Sequence, residues 1–182
     1  MKLLFQALFY GLLIITNFGF TISPTAKECI AGIAVSKEDG GREHYNKILP
    51  KGTSVSRINI YHGRLIDGFE IFFYDQAGNT SSFLIGNKTG SNRDIFTPND
   101  NVSIIGISGR HGRVIDTIMF HFSDGSFSNL YGGEDKKKGK EEVGRKGYEI
   151  IIPPAYQNGE QNIKFYGKFG RVIDSIGIKY DC

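Results

Sequence analysis

Three short segments of the chain share the pattern Gly-Arg-Leu/Val-Ile-Asp, in which a carboxylate follows a glycine by four residues. They occupy residues 63–67, 112–116 and 170–174. An aspartate in a glycine-containing turn can cap the backbone of its own turn, or it can accept charge-assisted hydrogen bonds from a ligand. Glycine has no Cβ, so another segment or a ligand can approach the backbone closely. The pattern therefore predicts either three structural turns or three binding turns.

The chain lacks the residue arrangements typical of an active site. No Gly-x-Ser-x-Gly segment occurs, and the histidines do not have the spacing of metal ligands. The three aspartates fall on separate repeats, whereas a glycosidase needs two carboxyls about 5–9 Å apart. We therefore expect no catalysis, no metal and no cofactor.

Each pattern is embedded in alternating apolar residues. A short alternating run precedes each glycine, and a longer one follows each aspartate, which is typical of strands with one buried face. Each unit is therefore predicted as strand, turn, strand. Because Gly109 and Gly167 add a glycine before the second and third turns, these two turns are predicted to be longer than the first. The alternating residues are Phe69, Ile71 and Phe73, then Ile118, Phe120 and Phe122, then Ile176, Ile178 and Tyr180.

Composition agrees with an all-β chain. Of 182 residues, 24 are Gly and 5 are Pro, and Gly inside a helix costs about 1 kcal/mol per residue. Hydrophobic residues make up 40%, enough for one core in a single domain. The net charge of +3 is too small to indicate a nucleic-acid partner. Three similar units favour a barrel, a trefoil or a prism with pseudo-threefold symmetry.

The first 26 residues are predicted to be a signal peptide, because Lys2 is followed by an almost unbroken apolar run to Phe20. A membrane anchor is the alternative. Cleavage after Ala26 would leave residues 27–182 as one domain that is secreted, or periplasmic if the source is bacterial. Cys29 and Cys182 are the only cysteines and are expected to form a disulfide, the alternative being two free thiols.

The sequence resembles the jacalin-related lectins, and most closely their mannose-binding and animal secretory types. Residues 165–177 resemble the closing segment of that family, which carries a Gly-x-x-x-Asp sugar-binding motif before its last strand. The resemblance implies an all-β fold, a β-prism I of three four-stranded Greek-key sheets. It also implies metal-independent binding of mannose- or galactose-type glycans, and a homo-oligomer is possible.

In this family the sugar lies between a turn and a facing glycine-rich loop. A fixed carboxylate accepts hydrogen bonds from adjacent hydroxyls, each contributing about 1.5–3 kcal/mol. The implied site residues are Gly170, Arg171, Val172 and Asp174 with Gly40 and Gly41 for the main site; Gly63, Arg64, Leu65 and Asp67 with Gly86 for the second; and Gly112, Arg113, Val114 and Asp116 with Gly132 and Gly133 for the third.

Two alternatives to neutral-sugar binding remain open at this point. The same prism could serve as an interaction or adhesion module without a sugar pocket. The lysine-rich run at residues 134–142 could instead bind an acidic polysaccharide, although such a charge run is typical of a solvated loop.

Overall fold

The computed structural model describes residues 27–35, 43–135, 140–141, 146–157, 159 and 161–182. These ranges form antiparallel strands and one short 3₁₀ helix at Pro154–Tyr156. No helix in these ranges is long and apolar enough to cross a bilayer. The strands are β1 (Glu28–Val35), β2 (Glu43–Leu49), β3 (Ser54–His62), β4 (Ile66–Tyr74), β5 (Thr80–Gly86), β6 (Asn92–Phe96), β7 (Ile104–His111), β8 (Ile115–Phe122), β9 (Tyr131–Gly132), β10 (Glu134–Asp135), β11 (Lys140–Glu141), β12 (Lys146–Ile151), β13 (Ile163–Phe169) and β14 (Ile173–Asp181).

Three four-stranded antiparallel sheets make up the fold, which confirms the predicted all-β architecture. Sheet I has the strand order β5-β4-β3-β6, sheet II the order β12-β7-β8-β9, and sheet III the order β1-β14-β13-β2. Strands β10 and β11 form a separate two-stranded pair. Each predicted turn joins the two central strands of one sheet, so the three sheets present the same hairpin.

The core lies where the inner faces of the three sheets meet. All nine alternating residues that follow the aspartates are buried, with exposures of 7% or less, which confirms the predicted strand pattern. Each sheet sends one phenylalanine to the centre. The ring of Phe69 lies 5.2 Å from that of Phe120 and 6.2 Å from that of Phe165, in edge-on geometry. This shared aromatic cluster fixes the sheets against one another.

The predicted difference in turn length is wrong. After a register shift, His62 pairs with Ile66, His111 with Ile115, and Phe169 with Ile173, so all three hairpins have the same length. The reason is that Gly109 and Gly167 lie within strands β7 and β13 and do not lengthen the loop.

Those two strand glycines serve another purpose. A Cβ on Gly109 would lie 2.9 Å from the Tyr148 hydroxyl, and one on Gly167 would lie 2.6 Å from the Tyr45 hydroxyl. The Tyr148 hydroxyl donates a hydrogen bond to the Thr117 carbonyl at 3.0 Å, and the Tyr45 hydroxyl donates one to the Ser175 carbonyl at 2.8 Å. Each glycine therefore makes room for a tyrosine that holds the strand after the turn.

A disulfide joins the two ends of the described domain. Cys29 and Cys182 are bonded, with Cα atoms 5.8 Å apart, as predicted from the cysteine count. The Cys182 N–H also donates to the Lys27 carbonyl at 2.8 Å. Beside the bridge, Glu28 on β1 forms ion pairs with Lys179 on the adjacent strand β14 and with Lys164 on the next strand, β13. The edge strand β1 is thus bound both covalently and by charge. The predicted signal peptide at residues 1–26 lies outside the described residues.

Candidate functional site

The three turns share one backbone geometry, and we call residues 63–67 turn 1, residues 112–116 turn 2 and residues 170–174 turn 3. In each, the N–H of the leading glycine donates to the carbonyl two residues later at 3.0 Å. The aspartate then falls at the second residue of the following strand. The sequence pattern therefore sets the turn itself, and the surroundings decide what each aspartate can contact.

A surface cavity of about 490 Å³ lies beside turn 1. This volume is within the range typical of small-molecule sites. Its lining comes from three separate parts of the chain: turn 1, the loop before β6, and turn 3. The lining residues are Gly63, Arg64, Leu65, Asp67, Thr89, Ser91, Arg171 and Val172.

Among the residues that the structure describes, Asp67 is the only one that brings a carboxylate to the lining of this cavity. Its Oδ1 accepts a hydrogen bond from the Thr89 hydroxyl at 3.1 Å, and its carbonyl accepts one from the Asn87 N–H at 2.9 Å. Gly86 has φ +75°, and a Cβ there would lie 2.3 Å from the Asp67 carbonyl oxygen. A glycine is required at this position so that the loop can close against turn 1. The predicted grouping of Gly86 with turn 1 is what the structure displays.

Turn 3 forms the opposite wall of the same cavity through Arg171 and Val172. The side chain of Asn87 joins the two turns, because its Nδ2 donates to the Gly170 carbonyl at 2.6 Å and to the Arg171 carbonyl at 3.3 Å. Sequence analysis assigned Arg171 and Val172 to a separate site with Asp174, which does not line this cavity. Gly40 and Gly41, the facing loop predicted for turn 3, lie outside the described residues, so the main site expected there stays a prediction.

Turn 2 has the most deeply buried of the three aspartates. Asp116 is 9% exposed, and its Oδ2 has no hydrogen-bond partner among the described residues. Burial raises the pKa of Asp116, while the charges of Arg64 and His111 act in the opposite direction. Arg113 and Val114 remain at the surface of the turn, with Val114 half-buried.

The facing loop of turn 2 closes tightly over it. Gly132 has φ +85°, and a Cβ there would lie 2.2 Å from the Asp116 carbonyl oxygen. The Gly133 N–H donates to the Arg64 carbonyl of turn 1 at 3.0 Å. The structure therefore places this Gly-Gly loop against turn 2, as predicted, and the same loop also contacts turn 1. The loop that faces one turn thus also forms a hydrogen bond with a neighbouring turn.

A buried histidine supports turn 1 from below. His62 is 4% exposed, and its Nε2 lies 2.6 Å from Asp94 Oδ2 on the neighbouring strand β6. The strand registers show that the position equivalent to Asp94 of sheet I is occupied by Tyr148 in sheet II and by Tyr45 in sheet III. Sheet I thus replaces a tyrosine by a histidine–aspartate contact next to the cavity.

Sequence reasoning missed the two hydroxyl residues of the cavity, Thr89 and Ser91, and the linking role of Asn87. The available signal was the polar stretch around Gly86 and Gly90, which carries hydroxyls opposite the aspartate. Most of the lysine-rich run lies outside the described residues. Of this run the structure describes only the backbone pairs Glu134–Asp135 and Lys140–Glu141, which form β10 and β11. Within the described ranges, no group of three His, Cys, Asp or Glu side chains is placed to hold a metal ion.

Residues 33–179 match the family model of a jacalin-like lectin domain. The chain belongs to the jacalin-like lectin family. This match includes all three turns and all three sheets, and it agrees with the β-prism I fold expected from the sequence. The family consists of lectins and not of enzymes.

Solved structures of plant lectins share this fold. A mannose-specific jacalin-related lectin from Morus nigra, solved with mannose, is 21% identical with a TM-score of 0.58, covering 89% of this chain and 98% of its own. Calsepa lectin with a bisected glycan is 17% identical with a TM-score of 0.60, covering 88% and 99%. A mannose-binding jacalin-related lectin from Ananas comosus is 16% identical with a TM-score of 0.55, covering 86% and 97%.

One curated relative is longer. A Schizosaccharomyces pombe protein that carries the name of a zinc metalloproteinase is 31% identical over 138 residues, which is 75% of this chain. The matched region is 19% of that relative, so the chain spans about a fifth of its length.

Proposed function

We propose that the protein is a secreted lectin that binds a glycan, without a metal ion, in the cavity beside Asp67. The observation that carries this proposal is the cavity itself, in which one carboxylate and two hydroxyl side chains converge over a glycine-containing turn. Membership of a lectin family supports it. No catalytic role is proposed for any residue.

The lining has the chemistry that a hexose needs. Each sugar hydroxyl is both a donor and an acceptor, so Asp67 can accept from adjacent hydroxyls while Thr89 and Ser91 donate or accept. Leu65 and Val172 offer apolar surface to the carbon-bound hydrogens of the ring. With few hydrogen bonds and no aromatic stacking, affinity for a monosaccharide is expected near millimolar, which corresponds to about −4 kcal/mol. Tighter binding would then come from several sites acting together.

Isothermal titration with methyl α-mannoside, after a glycan array, tests the proposal. Mannose is the first probe because the Morus nigra lectin of the same fold is solved with it. Replacing Asp67 by Asn should weaken binding at least tenfold. The amide carries no charge, and one of the two accepting oxygens is replaced by an NH2 group that can only donate. Asp116→Asn is the matched control and should leave affinity unchanged. Asp174→Asn should reduce the number of sites, and not their affinity, if turn 3 carries its own site.

Two results would contradict the lectin proposal. One is a folded chain that binds no glycan on the array, which would favour the interaction module. The other is unchanged affinity in the Asp67→Asn variant, which would place the sugar elsewhere.

Export is the second part of the proposal. A disulfide between Cys29 and Cys182 is typical of proteins that fold in an oxidising compartment. Together with the apolar segment at residues 1–26, it supports secretion through a cleaved signal peptide. Expressing the full chain in a secreting host and sequencing the N-terminus of the released protein tests this. A start near Lys27 is expected, and retention of the uncleaved chain in the membrane would refute it.

A further inference from the structure

Three asparagines of the chain stand in the acceptor sequence for N-linked glycosylation. This sequence is Asn-x-Ser/Thr with any residue except proline in the middle, and it is modified in proteins that enter a glycosylating secretory pathway. It occurs at residues 79–81, 87–89 and 101–103. The three copies are equivalent as sequence patterns, but their surroundings in the structure differ.

Asn79 lies in the exposed turn between β4 and β5. Its Nδ2 donates a hydrogen bond to Asp75 Oδ2 at 3.0 Å, and this bond is exposed. A primary amide has two N–H groups, so a sugar that replaces one hydrogen leaves the other to donate to Asp75. The two residues that complete this acceptor sequence, Thr80 and Ser81, are exposed as well. A glycan on Asn79 is therefore compatible with the folded chain.

Asn101 lies in the exposed turn before β7 and has φ +58°, a conformation that asparagine tolerates better than most residues. The backbone after it is fixed, because the Val55 N–H donates to the Val102 carbonyl at 2.8 Å. The Ser103 hydroxyl donates to the Thr53 carbonyl at 2.9 Å. These bonds hold the chain beside Asn101, while Asn101 itself is exposed. A glycan is accommodated here too.

Asn87 differs because its amide is enclosed between two turns. Its Nδ2 donates to the Gly170 carbonyl at 2.6 Å and to the Arg171 carbonyl at 3.3 Å, and the residue is half-buried. A sugar on this nitrogen would have to fit between turn 1 and turn 3, which these bonds hold together. The folded chain therefore requires Asn87 to be unmodified.

The two accessible asparagines lie at the end of the prism opposite the cavity. Strand β4 runs from turn 1 to the turn that holds Asn79, and its nine residues span about 30 Å at about 3.3 Å per residue. The loop of Asn101 lies at the same end, because Ser103 bonds to Thr53 just before β3 begins, whereas turn 1 follows the end of β3. Glycans at these two positions leave the cavity open.

We propose that the secreted protein carries N-linked glycans on Asn79 and Asn101 and that Asn87 stays unmodified. The proposal rests on the secretion part of the proposed function. In the modification, the amide Nδ2 forms a bond to the anomeric carbon of an oligosaccharide carried on a lipid diphosphate. The bond from that carbon to the diphosphate oxygen breaks, the lipid diphosphate leaves with the electron pair, and the amide loses one proton. The chain is the acceptor substrate and supplies no catalytic group.

The full chain, secreted by cultured mammalian cells, tests the proposal. Peptide N-glycosidase releases each glycan and converts the asparagine that carried it to aspartate, and peptide mass spectrometry detects this conversion at each position. An untreated sample is the blank. Conversion is expected at Asn79 and Asn101 and not at Asn87. Secreted protein that is unmodified at Asn79 or Asn101, or that carries a glycan on Asn87, would overturn the proposal.

Variants give a second readout, the mass of the intact secreted protein. Asn79→Gln and Asn101→Asp should each lower this mass by one glycan. Aspartate is chosen at position 101 because it also tolerates a positive φ. Asn99→Gln is the matched control, since this exposed asparagine lies in the same loop as Asn101 but is not followed by Ser or Thr two residues later. Its substitution should leave the number of glycans unchanged.

Sugar binding separates this proposal from the lectin proposal. Isothermal titration with methyl α-mannoside should give affinities within about twofold before and after glycan removal, because the glycans lie at the other end of the prism. A larger change would contradict their placement there. A glycosylated chain that binds no sugar would overturn the lectin proposal alone. A secreted chain that binds sugar but carries no glycan would overturn the glycosylation proposal alone.

Discussion

Replacing Asn87 by Ala is the sharpest test of the link between turns 1 and 3. The substitution removes the Nδ2 group that donates to the Gly170 carbonyl at 2.6 Å and to the Arg171 carbonyl at 3.3 Å. The backbone bond from the Asn87 N–H to the Asp67 carbonyl is kept. The change therefore cuts the contact between turns without altering the main chain of the loop.

The expected cost follows from the two lost bonds. The shorter one is partly buried and leaves the Gly170 carbonyl without this donor, whereas the longer one is exposed and weaker. A net hydrogen bond contributes about 0.5–1.5 kcal/mol, and an acceptor left unsatisfied costs more. We expect the free energy of unfolding to fall by about 1–2 kcal/mol. With a urea slope of about 2 kcal/mol per M, the midpoint should drop by about 0.5–1 M.

Asn79→Ala is the matched control. Its Nδ2 donates to Asp75 Oδ2 at 3.0 Å, but this bond is exposed and lies within one local turn. Its loss should change the free energy of unfolding by less than about 0.5 kcal/mol. Sugar affinity should fall for Asn87→Ala, since the Arg171 wall loses its anchor, and should be unchanged for Asn79→Ala. Equal urea midpoints for the two variants, or full sugar affinity in Asn87→Ala, would refute the reasoning.

Three further predictions follow from the described contacts. Replacing both Cys29 and Cys182 by Ser should lower the free energy of unfolding by about 2–4 kcal/mol, below the chain-entropy estimate of about 5 kcal/mol for so long a loop. Urea denaturation measures this loss. A loss below about 1 kcal/mol would show that strand pairing alone holds the two ends together. Gly86→Ala should abolish sugar binding and destabilise more than Gly78→Ala in thermal melts, because both residues have positive φ but a Cβ at Gly78 meets open space; equal effects would contradict the close-contact explanation. Burial raises the pKa of Asp116, so the folded state keeps its proton to higher pH than the unfolded chain, and this group's contribution to the free energy of unfolding declines as pH rises from its ordinary pKa through the raised one. Asp116→Asn should remove that decline in urea midpoints measured from acidic to neutral pH, and identical pH profiles would count against it.

The sequence was sufficient for the strands and the turns because both are local properties. Alternation identified which residues after Asp67, Asp116 and Asp174 are buried, and the glycine four residues earlier located each hairpin. The glycine spacing gave a wrong prediction of turn length, because turn length depends on the strand register. The extra glycine at Gly109 suggested a longer loop, whereas the strand pairing places it inside β7 against a tyrosine. Glycine counts alone do not distinguish a loop from a close contact between strands.

The shared cavity could not be derived from the chain because it depends on how the sheets close. Asn87 and Gly170 are 83 residues apart, and no local pattern connects them. Assigning each turn its own facing glycine-rich loop, as the family resemblance implied, led to three separate sites. The structure instead places Arg171 on the wall of the site at Asp67, since the loop after β5 reaches past its own turn to the next.

The residue that follows each aspartate differs between sheet I and the other two sheets. Sheets II and III have Thr117 and Ser175 there, whose hydroxyls accept the backbone N–H groups of residues 110 and 168 at 2.8 and 3.0 Å. Sheet I has Gly68, and a Cβ there would lie 2.6 Å from the Asn87 nitrogen.

The absent side chain at Gly68 is what lets the Asn87 loop lie flat against turn 1, bring the Thr89 hydroxyl to Asp67 and extend to turn 3. A Thr at position 68 would restore the hydroxyl of the other sheets but push this loop away. The aspartate pattern alone therefore does not determine how a turn meets its facing loop, because the residue after the aspartate sets how closely that loop can approach.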